Sequence, residues 1–132
     1  MVQIVQNLKI FNTLNSQKEE FTPLDSDHIK LYACGPTVYN YAHIGNARMA
    51  VVFDTIVRTL RVLYPKVTYV SNITDIDDKI IDAAKEAGVE ISAITEKYTQ
   101  IYNEDMSRLN VLEPDVQPKA TEYIPEMIEL II

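Results

Sequence analysis

Ile29-Lys30-Leu31-Tyr32-Ala33-Cys34 alternates apolar and polar side chains in β-favouring residues, and Gly35-Pro36 ends it. After a tyrosine-rich loop containing Tyr39 and Tyr41, apolar residues recur at steps of three and four: Met49, Val52, Phe53, Ile56, Leu60 and Leu63. That spacing predicts a long amphipathic helix with these side chains turned to the core and Arg48, Thr55, Arg58 and Thr59 largely opposite. Pro65 closes the helix. Val67-Thr68-Tyr69-Val70-Ser71-Asn72-Ile73 then reads as a second strand. Strand, long helix and strand make a βαβ unit, which implies parallel strands and a right-handed crossover, and hence an α/β fold. In open sheets of this kind ligands gather at the carboxyl ends of the strands. Here those ends are Cys34-Gly35-Pro36-Thr37 and Asn72-Ile73-Thr74-Asp75.

Outward from this unit the signals weaken. Val5 to Phe21 is polar and mixed; the beat of Leu8, Ile10, Phe11 and Leu14 supports at most an edge strand. Thr74-x-x-Asp77 reads as a helix start, with Ile80, Ile81, Ala84 and Ala87 as the apolar stripe and Gly88 as the stop. Ser92 is the expected cap of a third helix, which turns Ile94, Tyr98, Ile101, Tyr102, Met106 and Leu109 to one side. Val111 to Lys119, with Pro114 and Pro118, reads as a loop. A last helix is expected from about Thr121, with Pro125 in its first turn and Ile124, Ile128 and Ile131 inward. Because the sequence stops at Ile132 in the middle of that stripe, it is expected to be the front part of a longer protein.

Composition narrows the class. A chain of 132 residues with 47% hydrophobic and 23% charged residues has the makeup of a globular domain and is neither a disordered nor a disulfide-built protein. No run approaches the roughly 18 apolar residues of a membrane span, and Met1 to Lys9 lacks a signal-peptide pattern. The single cysteine, Cys34, points to a reducing cytoplasm. With a net charge of −7, this stretch is a poor electrostatic platform for nucleic acid on its own.

His43-Ile44-Gly45-Asn46 stands just before the long helix. A helix N-terminus favours phosphate through free N–H groups and partial positive charge. Gly45 permits close approach of a phosphate or a flat ring. His43 and Asn46, three apart, project from one side and can both donate hydrogen bonds. From the residues alone, a nucleotide-phosphate site and a histidine merely packed at a helix start both stay open. So do Cys34 as a small buried hydrophobe, Gly35 as a turn residue and Thr74 as a helix cap. The acidic run Asp75, Asp77 and Asp78 suits the dipole of a helix's first turn better than a metal. His28 reads as a loop or strand-edge residue, and Arg48, Arg58 and Arg61 as solvated charges.

Three long segments go further. Leu31 to Arg48, which holds Cys34-Gly35-Pro36-Thr37-Val38-Tyr39 and His43-Ile44-Gly45-Asn46, resembles the nucleotide-binding signature of the cysteinyl-tRNA synthetase family. Val70-Ser71-Asn72-Ile73-Thr74-Asp75-Ile76-Asp77-Asp78-Lys79-Ile80 resembles a second hallmark of that family, and Leu109 to Asp115 with Pro118 to Thr121 a third. The resemblance implies that residues 1–132 are the N-terminal portion of a class I, Rossmann-type catalytic domain, a parallel sheet with flanking helices. Its signature falls at 36–46, and the rest of the catalytic domain and the anticodon-binding domain are absent from this chain. It implies the ATP-dependent activation of L-cysteine to cysteinyl-adenylate and transfer to tRNA(Cys), with ATP used as its Mg2+ complex and with one Zn2+. His43 and Asn46 become catalytic, with Ile44 and Gly45 joining them against the nucleotide; Gly35, Thr37 and Thr74 line the cysteine pocket; and Cys34 is a zinc ligand. Asn46 departs from the class-wide form, which ends in histidine, but keeps an uncharged donor of comparable reach. The remaining zinc ligands and the class's lysine-rich second signature are missing from the sequence, so this stretch by itself is expected neither to hold zinc nor to form the adenylate. A cytoplasmic monomer is expected. A superfamily relative that activates cysteine identically but transfers it to an amino sugar stays open as an alternative.

Overall fold

A computed structural model describes residues 8–132; Met1 to Asn7, and with them the start of the stretch from Val5, lie outside the described residues. The elements follow in the order β1 Lys9–Asn12, β2 Gln17–Glu20, β3 Ile29–Ala33, α1 Ile44–Leu63, β4 Val67–Ser71, α2 Asp78–Ala87, α3 Ile91–Arg108 and, after a 3-10 turn at Ala120–Tyr123, α4 Ile124–Ile131. As the alternation implied, β3 and β4 pair in parallel, from Ile29 opposite Val67 to Ala33 opposite Ser71. α1 crosses between them and packs Val57 and Phe53 against Ala33, Leu31 and Tyr69.

The stretch read as a loop, Val111 to Lys119, is one, but its end runs along the far side of β4 and makes two isolated bridges. Val116 bridges Val70 and Lys119 bridges Ile73, both in parallel. The Ser71 N–H donates to the Val116 carbonyl (3.1 Å), the Ile73 N–H to that of Pro118 (2.8 Å), and the Ala120 N–H to that of Ile73 (3.0 Å). Prolines in this stretch cannot donate, yet a proline carbonyl still accepts. β4 therefore has backbone partners on both sides.

The buried face of α1 is also rotated from the expected stripe. Ala50, Asp54, Val57 and Leu60 are buried, Met49, Phe53, Ile56 and Leu63 are half-buried, and Val52 is exposed. Asp54 is the residue that the apolar pattern missed. Its carboxylate accepts the Leu112 N–H (3.0 Å) and the Arg58 Nε–H (2.8 Å), and Arg58 also donates to the Asn110 carbonyl (2.8 Å). Arg61 meets both carboxylate oxygens of Asp115 (3.0 and 2.9 Å), and Asp115 accepts the Tyr69 N–H (2.7 Å). Arg48, Arg58 and Arg61 are exposed, as expected, but Arg58 and Arg61 also tie α1, β4 and the returning chain together.

Other boundaries moved for local reasons. Thr74 stays extended, and α2 begins four residues later, where Asp77 caps it by accepting the Lys79 N–H (2.9 Å). Gly88 ends α2 in the left-handed region (φ 66°), as its sequence position implied. Glu90, not Ser92, precedes α3, and Ser92 lies within the first turn. The early stretch is an antiparallel hairpin, Lys9 opposite Glu20 through Asn12 opposite Gln17, rather than one edge strand. α4 carries Pro125 in its first turn, but Ile124, Ile128 and Ile131 are exposed rather than inward.

Asp54→Ala leaves a half-buried N–H and an arginine without their acceptor, and is expected to lower the unfolding free energy by about 2–4 kcal/mol. Arg61→Ala removes a more exposed pair and is expected to cost about 1 kcal/mol or less. Urea unfolding of the two variants checks that ranking.

Candidate nucleotide-binding site

The two strand ends meet at a close crossing. Beyond Ala33 the backbone of Gly35 comes so near β4's continuation that any Cβ at 35 would collide with the carbonyl oxygen of Asn72. The Gly35 N–H is taken by the Asn72 side-chain oxygen (2.9 Å). Two residues later the parallel pairing resumes with Thr37 opposite Thr74. The Thr74 N–H donates to the Pro36 carbonyl (3.0 Å) and the Val38 N–H to that of Thr74 (3.3 Å). Val38 is buried at 2% exposure and anchors the loop that leads to α1.

That loop ends in a reciprocal cap. His43 Nδ1 accepts the Gly45 N–H (3.0 Å), and Asn46 Oδ1 accepts the His43 N–H (3.1 Å). The Asn46 N–H is in turn bonded to the His43 carbonyl (2.9 Å). Two backbone donors of the helix start are thus already used by the chain itself. Because Nδ1 is the acceptor, the neutral ring carries its proton on Nε2; because Oδ1 is the acceptor, the Asn46 amide keeps its NH2 free. The site therefore presents side-chain donors at the helix start. Gly45 has a packing reason beyond ligand approach: a Cβ there would lie 2.7 Å from His43 Cε1 and 2.9 Å from Nδ1.

His43 and Asn46 share a hollow with Thr37, Tyr39, Tyr41, Lys79, Tyr98 and Tyr102. Its lining contains no carboxylate, although the chain carries 19 acidic residues. Lys79, Tyr98 and Tyr102 are contributions that sequence reasoning missed, because only the packing of α2 and α3 beside the loop brings them there. Lys79 Nζ stands 5.4 Å from the centre of the Tyr39 ring, and Tyr41 meets Tyr98 edge to face at 5.5 Å. Burial and the neighbouring Tyr69 push the Tyr102 phenol up to about 12.

The remaining expected site residues lie outside this hollow. Ile44 is exposed, and neither it nor Gly35, Gly45, Thr74 or Cys34 belongs to the lining. Cys34 is an exposed free thiol at the end of β3. Among the described residues no three His, Cys, Asp or Glu side chains cluster closely enough to hold a metal. A tetrahedral zinc site needs four ligands, and among the described residues Cys34 has no such partners around it. The acidic run is divided among other roles. Asp75 is buried and accepts from the Thr121 N–H (3.0 Å) and hydroxyl (2.6 Å), and does not sit in a helix's first turn. Asp77 caps α2, and Asp78 opens it. His28 bonds Thr68 (2.8 Å) at the opposite end of the strands, a strand-edge role as expected.

A parallel βαβ unit with a self-capped helix start and a carboxylate-free hollow at its carboxyl edge defines the class: an open, Rossmann-like α/β domain. Comparison with known proteins makes this specific. The model of the family of tRNA synthetases class I (C), catalytic domain, matches residues 20–132. The chain is 63% identical over 123 residues to a cysteine–tRNA ligase of Parvibaculum lavamentivorans, covering 93% of this chain and 26% of that one. It is 57% identical over 124 residues to a cysteine–tRNA ligase of Wolbachia pipientis, covering 94% and 27%. A cysteine–tRNA ligase of Ehrlichia ruminantium is 55% identical over 122 residues, with 92% and 27% covered. The chain belongs to the class I cysteinyl-tRNA synthetase catalytic-domain family, and it spans about a quarter of the length of these curated relatives.

Two outcomes follow from the cap and the hollow. In Gly45→Ala the better helix propensity, worth about 1 kcal/mol, offsets a lost cap of similar size. Stability is expected to change by less than about 1 kcal/mol while the His43 Nδ1 nitrogen-15 shift reports a ring driven off its cap. Tyr102 ionises near 10 when unfolded and at about 12 when folded. The native state therefore holds the proton longer, and stability is expected to fall as pH rises from about 10 to 12. Alkaline unfolding of Tyr102→Phe, with that slope reduced, checks this.

Proposed function

We propose that this chain is the N-terminal part of the catalytic domain of a cysteine–tRNA ligase, and that the hollow at the start of α1 takes the phosphates of ATP. The observation that carries the reading is the reciprocal cap. His43 and Asn46 spend their acceptor atoms on each other's backbone and on Gly45, which leaves His43 Nε2–H and the Asn46 NH2 as preorganised donors beside a lysine. Fixed donors aimed where negative charge develops need no reorganisation during the reaction.

In the whole protein a carboxylate oxygen of L-cysteine attacks the α-phosphorus of ATP. The bond from that phosphorus to the bridging oxygen breaks, pyrophosphate leaves, and cysteinyl-adenylate forms. His43 and Asn46 hold the phosphoryl oxygens through this step by hydrogen bonds and positioning, with no covalent enzyme intermediate. A ribose hydroxyl at the 3′ end of tRNA(Cys) then attacks the carbonyl carbon and releases AMP. Gly35, Thr37 and Thr74 border the cysteine, with the pairing of Thr37 and Thr74 across the strand ends in support. ATP enters as its Mg2+ complex. Cys34 offers one thiolate to the Zn2+ that the family resemblance implies, and the other ligands belong to the remainder of the protein. The protein works as a monomer in the reducing cytoplasm, where Cys34 stays reduced.

Cysteine-dependent ATP–pyrophosphate exchange by the whole protein tests the reading. His43→Ala is expected to lower kcat about 10²–10³-fold and Asn46→Ala by about tenfold, while Asn46→His keeps a donor and retains activity. Exchange that is absent in the wild type, or untouched by His43→Ala, contradicts it. Charging of tRNA(Cys), rather than of an amino sugar, separates the ligase from its superfamily relative.

A further inference from the structure

The geometry points to Asn72 as a positioning residue for the cysteine pocket, an inference that rests on the reading just given. β3 and β4 keep their backbone ladder to Ala33 and Ser71 and resume it at Thr37 and Thr74. Between these points Asn72 replaces the ladder. Its Oδ1 takes the Gly35 N–H at 2.9 Å, and its own carbonyl fills the space that a side chain at 35 would need. Gly35 is bonded directly to Cys34, so this contact sets the path of the backbone that presents the thiol. The same amide turns its Nδ2 toward Thr74 Oγ1 at 3.5 Å, the long end of the hydrogen-bond range. A donor facing that oxygen leaves the Thr74 hydroxyl hydrogen to point elsewhere. Thr74 thereby offers a donor to a substrate that brings acceptors, as the carboxylate and sulfur of cysteine do. Asn72 touches no reacting atom in this arrangement; it acts through Gly35 and Thr74.

The experiment is cysteine-dependent ATP–pyrophosphate exchange by the whole protein with Asn72→Ala, Asn72→Asp, Thr74→Val and the pair Asn72→Asp/Thr74→Val. Asn72→Ala is expected to raise KM for cysteine about tenfold or more with KM for ATP within about twofold. Asn72→Asp keeps an acceptor for Gly35 and so retains the backbone contact that the alanine variant loses. It exchanges the donor to Thr74 for a charged acceptor, which draws the Thr74 hydroxyl hydrogen toward itself. It is expected to raise KM for cysteine through the Thr74 hydroxyl, and therefore to add less on the Thr74→Val background than it does alone, as coupled neighbours do. Full additivity in the pair, no change in either KM, or equal changes in both overturns the inference. If the wild type exchanges and His43→Ala abolishes it, such a result removes the role of Asn72 alone. If the wild type does not exchange, the reading beneath it fails instead.

Discussion

The crossing of Gly35 over the Asn72 carbonyl is the constraint on which the rest of the site depends. Two parallel strands that continued in register would carry their backbone pairing straight past Cys34. Here the missing Cβ at 35 lets the chains approach until a side-chain amide takes over from the backbone. The pairing then returns at Thr37 and Thr74. This offset turns Cys34 outward, brings two threonines abreast, and sends the loop from Pro36 toward α1 at a fixed angle, pinned by buried Val38. Any larger residue at 35 has to push the strands apart at the place where their ends form the site.

From that crossing the logic passes to the helix start. A histidine before a helix is often no more than a packed ring, and His43 does serve locally, as the cap of α1. That same cap fixes the ring for the role proposed for it. By accepting the Gly45 N–H it is held in one tautomer, and by accepting the His43 N–H Asn46 is held in one amide orientation. Folding thus uses one edge of each side chain, and the proposed phosphate contact would use the opposite edge. This also gives a physical account of asparagine at position 46, since the carbonyl of an amide serves the cap while its NH2 remains free.

What the sequence revealed and what it hid divide along physical lines. The βαβ skeleton was legible because alternation in Ile29 to Ala33 and a three-to-four spacing in α1 are one-dimensional signals. Gly88 and Pro125 were legible because their backbone restrictions act locally. The rotation of α1 was not, because Asp54 sits where an apolar residue is expected and its burial depends on Leu112, 58 positions away. The bridges from Val116 and Lys119 to β4 and its continuation were masked by prolines that accept but cannot donate. Asp75 read as a helix-dipole carboxylate because its partner, Thr121, lies 46 positions on. In the site, His43 and Asn46 were legible as a local motif, while Lys79, Tyr98 and Tyr102 reach the hollow only through tertiary packing.

A crystal structure of the whole protein with a non-hydrolysable cysteinyl-adenylate analogue tests the central claim most directly. The group that stands in for the α-phosphate is expected within hydrogen-bond distance of His43 Nε2 and the Asn46 NH2, with the cap between the two residues intact. An analogue bound elsewhere with those donors still facing solvent, or bound there only after the cap has opened, contradicts it.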